Sequence, residues 1–199
     1  MKYIICSIGH TAAGKTTTLR KIADKCGIDF ISEGLIKRNL VGESFDVHNS
    51  MDEDLRSSGY KKAIGMAFDL LEKKDAVILD ASFHQRFRRL WVYDEIINRN
   101  LDCVVIWVYC YCDRIEEVAK RINLRANAKK ITADIQARTM EVYYYTIKTF
   151  SEVKIIDFPK EISTAIIYNN TQDSFIQRIE FNDARCFSIV SQIGESIYG

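Results

Sequence analysis

The sequence has almost no net charge, because its 28 lysines and arginines balance 27 aspartates and glutamates. A chain with this balance is not a general binder of polyanions, although it can still carry local basic patches. Its hydrophobic content of 47% and charged content of 28% are ordinary for a globular protein of 199 residues. This composition excludes disordered, collagen-like and disulfide-scaffold chains. The length predicts a single domain over residues 1–199.

Metal-binding patterns and export signals are also missing. The 6 cysteines form no CxxC pair and the 3 histidines lie far apart in the chain, so neither a zinc site nor a disulfide framework is predicted. No apolar stretch is long enough to span a bilayer, and the chain runs into an apolar segment without a signal-peptide pattern. We therefore expect a cytoplasmic protein that does not contact membranes.

Short apolar runs alternate with helical patterns, which predicts a parallel α/β sheet. We expect strands at residues 3–8, 29–32, 76–79, 104–109, 154–156 and 165–168. We expect helices at residues 14–26, 35–40, 60–73, 85–98, 115–122, 133–150, 173–181 and 184–197. The polar segment 42–59 is predicted as a long surface loop. In the helix at 85–98, the spacing assigns Phe87, Leu90, Trp91 and Ile97 to the core face.

The clearest chemical signal is a GxxxxGK[ST] loop between the first strand and the first helix. The loop comprises Gly9, His10, Thr11, Ala12, Ala13, Gly14, Lys15 and Thr16. Its glycines let backbone N–H groups turn toward phosphate oxygens, and the start of the helix adds its positive end. Lys15 is expected to reach the β- and γ-phosphates and Thr16 to ligate Mg²⁺. Together with Thr17, the loop predicts binding of ATP and Mg²⁺.

Further charged residues follow at the ends of later strands. Asp80 closes a buried strand at the edge where open α/β sheets bind ligands, so we expect it to serve Mg²⁺ or the substrate, with a helix N-cap as the alternative. Basic residues cluster at 84–89 and again after the fourth strand. Arg121 and Arg125 share one helical face beside a polar stretch. They are predicted to contact phosphates from a lid that covers approximately residues 113–133.

These motifs together resemble the small P-loop kinases of the polynucleotide-kinase, zeta-toxin and chloramphenicol-phosphotransferase type, which are AAA-domain P-loop kinase-like proteins. The similarity covers roughly residues 1–168 and includes residues 9–16, 31–42, 60–73, 76–83 and 108–125. The resemblance implies a P-loop NTPase fold with about five parallel strands, helices on both faces and a small lid. It also implies transfer of the γ-phosphate of a purine nucleotide to a hydroxyl group.

One departure from this family concerns the general base. Family members carry an aspartate just after the second strand, followed by an arginine, and a gapless match places Gly34 and Lys37 at those positions. Glu33 lies one residue earlier. Three alternatives follow: Glu33 acts as the base, Asp80 does, or the chain has no base.

Three functions are compatible with this pattern. The first is an ATP-dependent phosphotransferase that acts on a hydroxyl of a small molecule. The second is a nucleic-acid 5′-hydroxyl kinase, in which residues 86–89 contact phosphates while Phe87 and Trp91 stack on bases. The third is a non-catalytic ATP-binding regulatory protein. The near-zero net charge and the expected core position of both aromatic residues favour a small-molecule acceptor over nucleic acid.

Overall fold

The computed structural model describes residues 1–41, 53–127, 139–173 and 175–198. Its strands are β1 (Lys2–Ile8), β2 (Asp29–Ser32), β3 (Ala76–Asp80), β4 (Cys103–Tyr111), β5 (Thr164–Asn170) and β6 (Phe175–Phe181). Its helices are α1 (Lys15–Cys26), α2 (Glu33–Val41), α3 (Glu53–Leu71), α4 (Arg86–Asn98), α5 (Ile115–Ala126), α6 (Met140–Lys148) and α7 (Cys186–Tyr198). No helix within these ranges is both long and apolar enough to cross a membrane.

The strands form one sheet in the order β2-β3-β1-β4-β5-β6. The first five strands run parallel, and β6 is antiparallel to β5. The register pairs Cys6 with Leu79 of β3 and Ile8 with Tyr109 of β4, so the carboxyl ends of β1, β3 and β4 meet at one edge. The predicted parallel α/β sheet is confirmed, with β6 added to the five strands that the resemblance implies.

Helices cover both faces of this sheet, which explains why its central strands are apolar on both sides. On one face, α2, α3 and α4 pack around Phe68, Trp107 and Phe158. On the other face, α1 and α7 pack around Leu19 and Ile106. A third, smaller cluster contains Ala12, Cys112, Val118 and Ile122, packed against Met140 and Tyr143. It places α5 and α6 against the loop that follows β1.

Two elements near the carboxyl end of the chain differ from the prediction. The segment 173–181 is predicted to be a helix, but residues 175–181 form β6. Its aromatic and β-branched residues pair with β5, and this pairing overrides the local pattern. The segment 154–156 is not a strand, because the 3-10 helix Ile155–Asp157 begins there. The Asp157 carboxylate accepts a hydrogen bond of 3.2 Å from the Lys154 backbone N–H and closes this turn.

Helix α3 begins at Glu53, so the end of the predicted loop 42–59 is helical. Gly59 lies inside this helix, where α2 crosses it. A Cβ atom at Gly59 would lie 3.2 Å from Glu33 Oε1 and 3.4 Å from Lys37 Cε. Close packing of the two helices therefore overrides the cost of about 1 kcal/mol that glycine carries in a helix interior. Residues 42–52 lie outside the described residues, as do 128–138, which include parts of the predicted lid and of the helix expected at 133–150.

Helix α4 buries two charged residues of the basic cluster at 84–89. Phe87 and Ile97, which were expected in the core, are 43% and 62% exposed, whereas Arg88 and Arg89 are 1% and 0% exposed. The apolar spacing misled the prediction because long arginine side chains can fill a core when carbonyl groups or aromatic rings receive them. The Arg88 guanidinium lies 4.5 Å from the centre of the Tyr60 ring.

Arg89 ties two loops together. Its Nη1 donates to the Phe83 carbonyl at 3.0 Å, and its Nη2 donates to the carbonyls of Ser151 and Glu152 at 3.2 and 2.9 Å. Burial lowers the pKa of Arg89 to about 10, so the guanidinium is charged at neutral pH. This side chain therefore joins the loop after β3 to the segment after α6, and it is not available to phosphate.

We predict that Arg89→Met lowers the free energy of unfolding by about 2–4 kcal/mol, because the carbonyls of Phe83, Ser151 and Glu152 lose their donor. Denaturant unfolding followed by circular dichroism measures this change. Arg86→Met on the exposed surface of the same helix is the matched control and should cost less than about 0.5 kcal/mol. Equal losses in the two variants would contradict the structural role of Arg89.

Candidate active site

Residues 9–16 form a tight loop between β1 and α1. Gly9, Ala12 and Gly14 have φ angles of 147°, 61° and 83°. At Gly9, a Cβ atom would lie 2.2 Å from the Cys110 carbonyl oxygen, so the close approach of β1 to the end of β4 requires glycine. Gly14 is the N-cap of α1 and supplies no side-chain hydrogen bond to the first turn. Because no side chain caps this end of the helix, the backbone N–H groups in the first turn of α1 can donate hydrogen bonds to a bound anion.

Lys15 bends back over the loop, where its Nζ donates to the His10 carbonyl at 2.7 Å. Burial lowers the pKa of Lys15 to about 8, and the positive charge of Arg125 acts in the same direction, while the negative charge of Asp80 opposes it. Both residues are therefore within electrostatic reach of the Lys15 ammonium group. The structure thus brings together three of the side chains that the sequence singled out.

Thr16 and Asp80 are in direct contact. Thr16 Oγ1 donates to Asp80 Oδ2 at 2.6 Å, and Ser7 Oγ lies 3.2 Å from Asp80 Oδ1. The described residues contain no group of three or more histidine, cysteine or acidic side chains that could by itself hold a metal ion. Mg²⁺ needs no such cluster in a nucleotide site, since one or two protein oxygens, phosphate oxygens and water complete its coordination. The hydroxyl and carboxylate oxygens of this pair fit that ion.

Arg121 is fixed to the outer side of the loop. Its Nη1 donates to the Ala12 carbonyl at 3.2 Å and to Thr171 Oγ1 at 3.1 Å, and its Nη2 donates to the Thr171 carbonyl at 3.2 Å. Its Nε donates to Glu117 at 2.9 Å. Thr171 in turn donates from Oγ1 to the Ala13 carbonyl at 2.9 Å. The two predicted lid arginines therefore differ. Arg121 donates hydrogen bonds that support the loop, whereas the positive charge of Arg125 lowers the pKa of Lys15.

A cavity of about 430 Å³ opens beside the loop. It lies between α1, α5, α7 and the end of β5, and its lining residues are Gly14, Thr17, Thr18, Lys21, Arg121, Leu124, Arg125, Asn169, Thr171 and Ile197. Asn169 Nδ2 donates to Thr18 Oγ1 at 3.1 Å and holds two of its walls together. A cavity of this size adjoining Gly14 can receive the nucleoside of a nucleotide whose phosphates lie in the loop.

Helix α6 covers the opposite side of the loop. The backbone N–H of Thr11 donates to Thr146 Oγ1 at 3.2 Å. The His10 ring lies edge-on to the Tyr143 ring, with centroids 5.1 Å apart. Burial, opposed by a backbone hydrogen bond from the imidazole to Thr11, lowers the pKa of His10. The imidazole is therefore neutral at pH 7 and adds no charge to the phosphate-binding loop.

Glu33 begins α2 immediately after Ser32, whose Cα pairs with that of Asp80 in the register of β2 and β3. The Glu33 carboxylate therefore lies at the same sheet edge as the loop. Its Oε1 is 2.6 Å from Lys37 Nζ, and the side chain is buried. Gly34, at the position of the family's aspartate, has no side chain that can replace it. Of the two predicted base candidates, Asp80 is engaged by Thr16 and Glu33 by Lys37.

A family model described as an AAA domain (AAA_33) matches residues 4–148, from β1 to the end of α6. The chain belongs to this AAA-domain family. The resemblance to P-loop kinases is thereby confirmed. A sequence comparison with curated proteins finds no significant match.

Solved structures, two of them of kinases, share the fold of this AAA domain. Kti12 of Chaetomium thermophilum in complex with ADP-AlF3 superposes with a TM-score of 0.62 at 18% identity, covering 98% of this chain and 100% of that one. The APS kinase of Mycobacterium tuberculosis, in complex with AMPPNP and APS, gives 0.56 at 13% identity, with coverage of 96% and 97%. A fungal RNA kinase gives 0.54 at 13% identity, with coverage of 84% and 75%. At these identities the likeness shows the fold, which is that of P-loop kinases.

The pKa of Lys15 predicts how nucleotide affinity depends on pH. In the free protein the ammonium group loses its proton as pH rises through about 8, well below the usual 10.5. A bound phosphate stabilises the charged form, so binding above pH 8 takes up a proton and becomes weaker. We expect constant affinity for Mg-ATP below pH 7.5 and a fall that approaches about tenfold per pH unit above pH 8.5.

Calorimetric titrations across this range measure the affinity. Repeating them at pH 9 in two buffers that differ in ionisation enthalpy measures the proton uptake directly. An affinity that stays constant to pH 9.5, with no proton uptake, would contradict a phosphate contact by Lys15.

Proposed function

We propose that this AAA domain is an ATP-dependent phosphotransferase that moves the γ-phosphate of ATP to a hydroxyl group of a small molecule. The observation that carries the proposal is the arrangement around Lys15. The buried Lys15 ammonium group lies in the loop, and the next residue, Thr16, donates a hydrogen bond to Asp80. Arg125 is close enough for its positive charge to lower the pKa of Lys15. The two kinase structures that superpose on the chain support the same class of reaction.

In the proposed reaction, the acceptor oxygen bonds to the γ-phosphorus while the bond from that phosphorus to the β–γ bridging oxygen breaks and ADP leaves. Lys15 and the N–H groups of the loop would bind the phosphates, and Arg125 would stabilise the charge that spreads over the γ-phosphate oxygens. Thr16, with Asp80, would hold Mg²⁺, which neutralises phosphate charge when bound. Positioning and charge stabilisation supply most of the acceleration in this chemistry.

Glu33 is the proposed acceptor of the hydroxyl proton. It begins α2 at the carboxyl edge of β2, whereas the Asp80 carboxylate already accepts the Thr16 hydroxyl. Lys37 holds the Glu33 carboxylate at 2.6 Å, and Gly59 leaves room for it between α2 and α3. The longer side chain of glutamate compensates for its position one residue before the family's aspartate.

A nucleic-acid end kinase is the second candidate, and one observation favours it. Phe87 is 43% exposed, and its ring packs edge-on against that of Trp91, with centroids 5.3 Å apart. An exposed aromatic ring such as that of Phe87 can stack on a base. Burial of Arg88 and Arg89 removes two of the cations that were expected to contact the phosphates. The small-molecule acceptor is therefore the proposal, and an oligonucleotide is the alternative that the assay includes.

The proposal is tested by ADP release from ATP and Mg²⁺ in the presence of pooled sugars, nucleosides, amino alcohols and aminoglycosides, with a 5′-hydroxyl oligonucleotide as a separate arm. We expect one small-molecule pool to stimulate ADP release. Lys15→Met should abolish this stimulation while its unfolding transition remains cooperative. Stimulation by the oligonucleotide alone, falling steeply with salt, would favour the end kinase. ATP binding without stimulation in any arm would favour the regulatory protein.

The two lid arginines should separate kinetically. Arg125→Ala is expected to lower kcat by about a hundredfold or more with little change in KM for ATP, because it acts on charge that develops in the transition state. Arg121→Ala should instead raise KM for ATP, because Arg121 supports the loop and lines the cavity. Steady-state kinetics with the acceptor found above measures both effects. Lys120→Ala, on the exposed side of the same helix, is the control, and identical changes in all three variants would overturn the assignment.

Removing the proposed base should change rate and pH profile together. We expect Glu33→Gln to lower kcat by about a hundredfold, because the amide cannot take a proton. The fall of kcat at low pH, which reports protonation of the base, should also disappear in this variant. Lys37→Met is the matched control: it breaks the same ion pair and should retain the fall of kcat at low pH. If Glu33→Gln keeps the wild-type rate and profile, or if Lys37→Met reproduces its loss completely, Glu33 is not the base.

A further inference from the structure

Strand β6 lies at the edge of the sheet, far from the candidate active-site residues of β2 and β3. It pairs with β5 on its inner side, and no described strand pairs with its outer side. The Asn182 backbone N–H donates to the Thr164 carbonyl of β5 at 3.1 Å. Because successive residues of a strand direct their backbone groups to opposite sides, Arg178 and Glu180 also bond toward β5, whereas Ile179 and Phe181 present N–H and C=O groups outward. Such an open row of donors and acceptors is a template for another strand.

The side chains along this edge are unusually apolar for an exposed strand. Ile179 pairs with Ile167 and Phe181 with Ala165, so both lie on the face of the sheet that α7 covers. They are 40% and 44% exposed, and Phe187 in the first turn of α7 is 65% exposed. An added strand would cover the first two side chains, since neighbours on an adjacent strand lie within contact distance.

The charged side chains on the other face of β6 determine which strand can pair with its open edge. Arg178 and Glu180 flank Ile179, and their side chains form an ion pair of 3.4 Å within the chain. If a second copy of β6 pairs antiparallel about a two-fold axis at Ile179, each Arg178 lies opposite the second copy's Glu180. The same operation places the outward backbone groups of the two Ile179 residues as a hydrogen-bonded pair.

The alternative registers are unfavourable. A two-fold axis at Arg178 would place two arginines opposite each other, and an axis at Glu180 would place two glutamates opposite each other. If the axis instead falls between two residues, the pairing is offset by a single residue, and the apolar side chains of one copy lie opposite the charged side chains of the other. Of these registers, the one centred on Ile179 is the one that places opposite charges face to face. It needs no partner other than this chain.

We propose that β6 is a self-association surface through which two copies of this chain form a continuous sheet, with Ile179 at the two-fold axis. The proposal is independent of the phosphotransferase activity, because β6 contributes none of the site residues argued above. The bulge in the β5–β6 ladder at Tyr168 and Asn169 limits the straight part of the edge to residues 178–181. This short pairing predicts a reversible dimer that depends on concentration.

Sedimentation velocity on the full chain, from low micromolar to submillimolar concentration, tests the proposal. We expect a monomer–dimer equilibrium for the wild type. Arg178→Glu and Glu180→Arg should each weaken the dimer by about tenfold or more, because each variant places like charges opposite one another twice. Lys62→Glu, an equivalent charge change on exposed α3, is the control and should leave the equilibrium unchanged.

A mixture of the two single variants provides the decisive arm. In the heterodimer, every position 178 of one copy again faces the opposite charge at position 180 of the other, so association should return to about the wild-type level. The rescue also excludes misfolding as the reason for the loss in each variant alone. A wild-type chain that remains monomeric, or a mixture no stronger than the separate variants, would overturn the proposal.

Discussion

The close approach of β1 to the end of β4 is the constraint on which the candidate site depends. Gly9 lies so near the Cys110 carbonyl that a side chain would meet it at 2.2 Å. Because the chain turns there, the next residues fold back over the sheet edge, and α1 starts at Lys15 with its N–H groups directed at the loop. The loop is then held from two sides, by Arg121 and Thr171 on one and by Thr146 on the other.

The same edge collects the acidic and hydroxyl groups. Parallel pairing brings Ser32 level with Asp80, and the Asp80 carboxylate reaches back to Thr16 and Ser7. The groups proposed to serve a nucleotide, a divalent cation and a proton acceptor therefore lie at one sheet edge, although they come from four separate segments of the chain. Strand β6 and its exposed apolar residues lie at the far edge of the sheet, so the proposed self-association surface is separate from this crevice.

The sequence was informative where a local pattern and the tertiary structure agree. The loop at 9–16 and the buried parallel strands could be predicted, because glycine spacing and continuous apolar runs carry their own physical reason. Gly59 and β6 could not, because close helix packing and strand pairing override local preferences there. The burial of Arg89 could not be predicted, because two of its carbonyl partners, Ser151 and Glu152, lie 62 and 63 residues further along the chain. Thr171 and Thr146 belong to no motif, and only the fold brings them to the phosphate-binding loop.

The central claim is that residues 9–16 hold the phosphates of ATP while Thr16 and Asp80 serve the metal. The most direct measurement is a crystal structure of the chain with a non-hydrolysable ATP analogue and Mg²⁺. We predict phosphate oxygens within hydrogen-bond distance of the loop N–H groups and Lys15, with the metal bound by Thr16 Oγ1 on the Asp80 side and the nucleoside in the adjoining cavity. A nucleotide bound elsewhere, or phosphates in the loop with the metal remote from Thr16, would contradict the assignment.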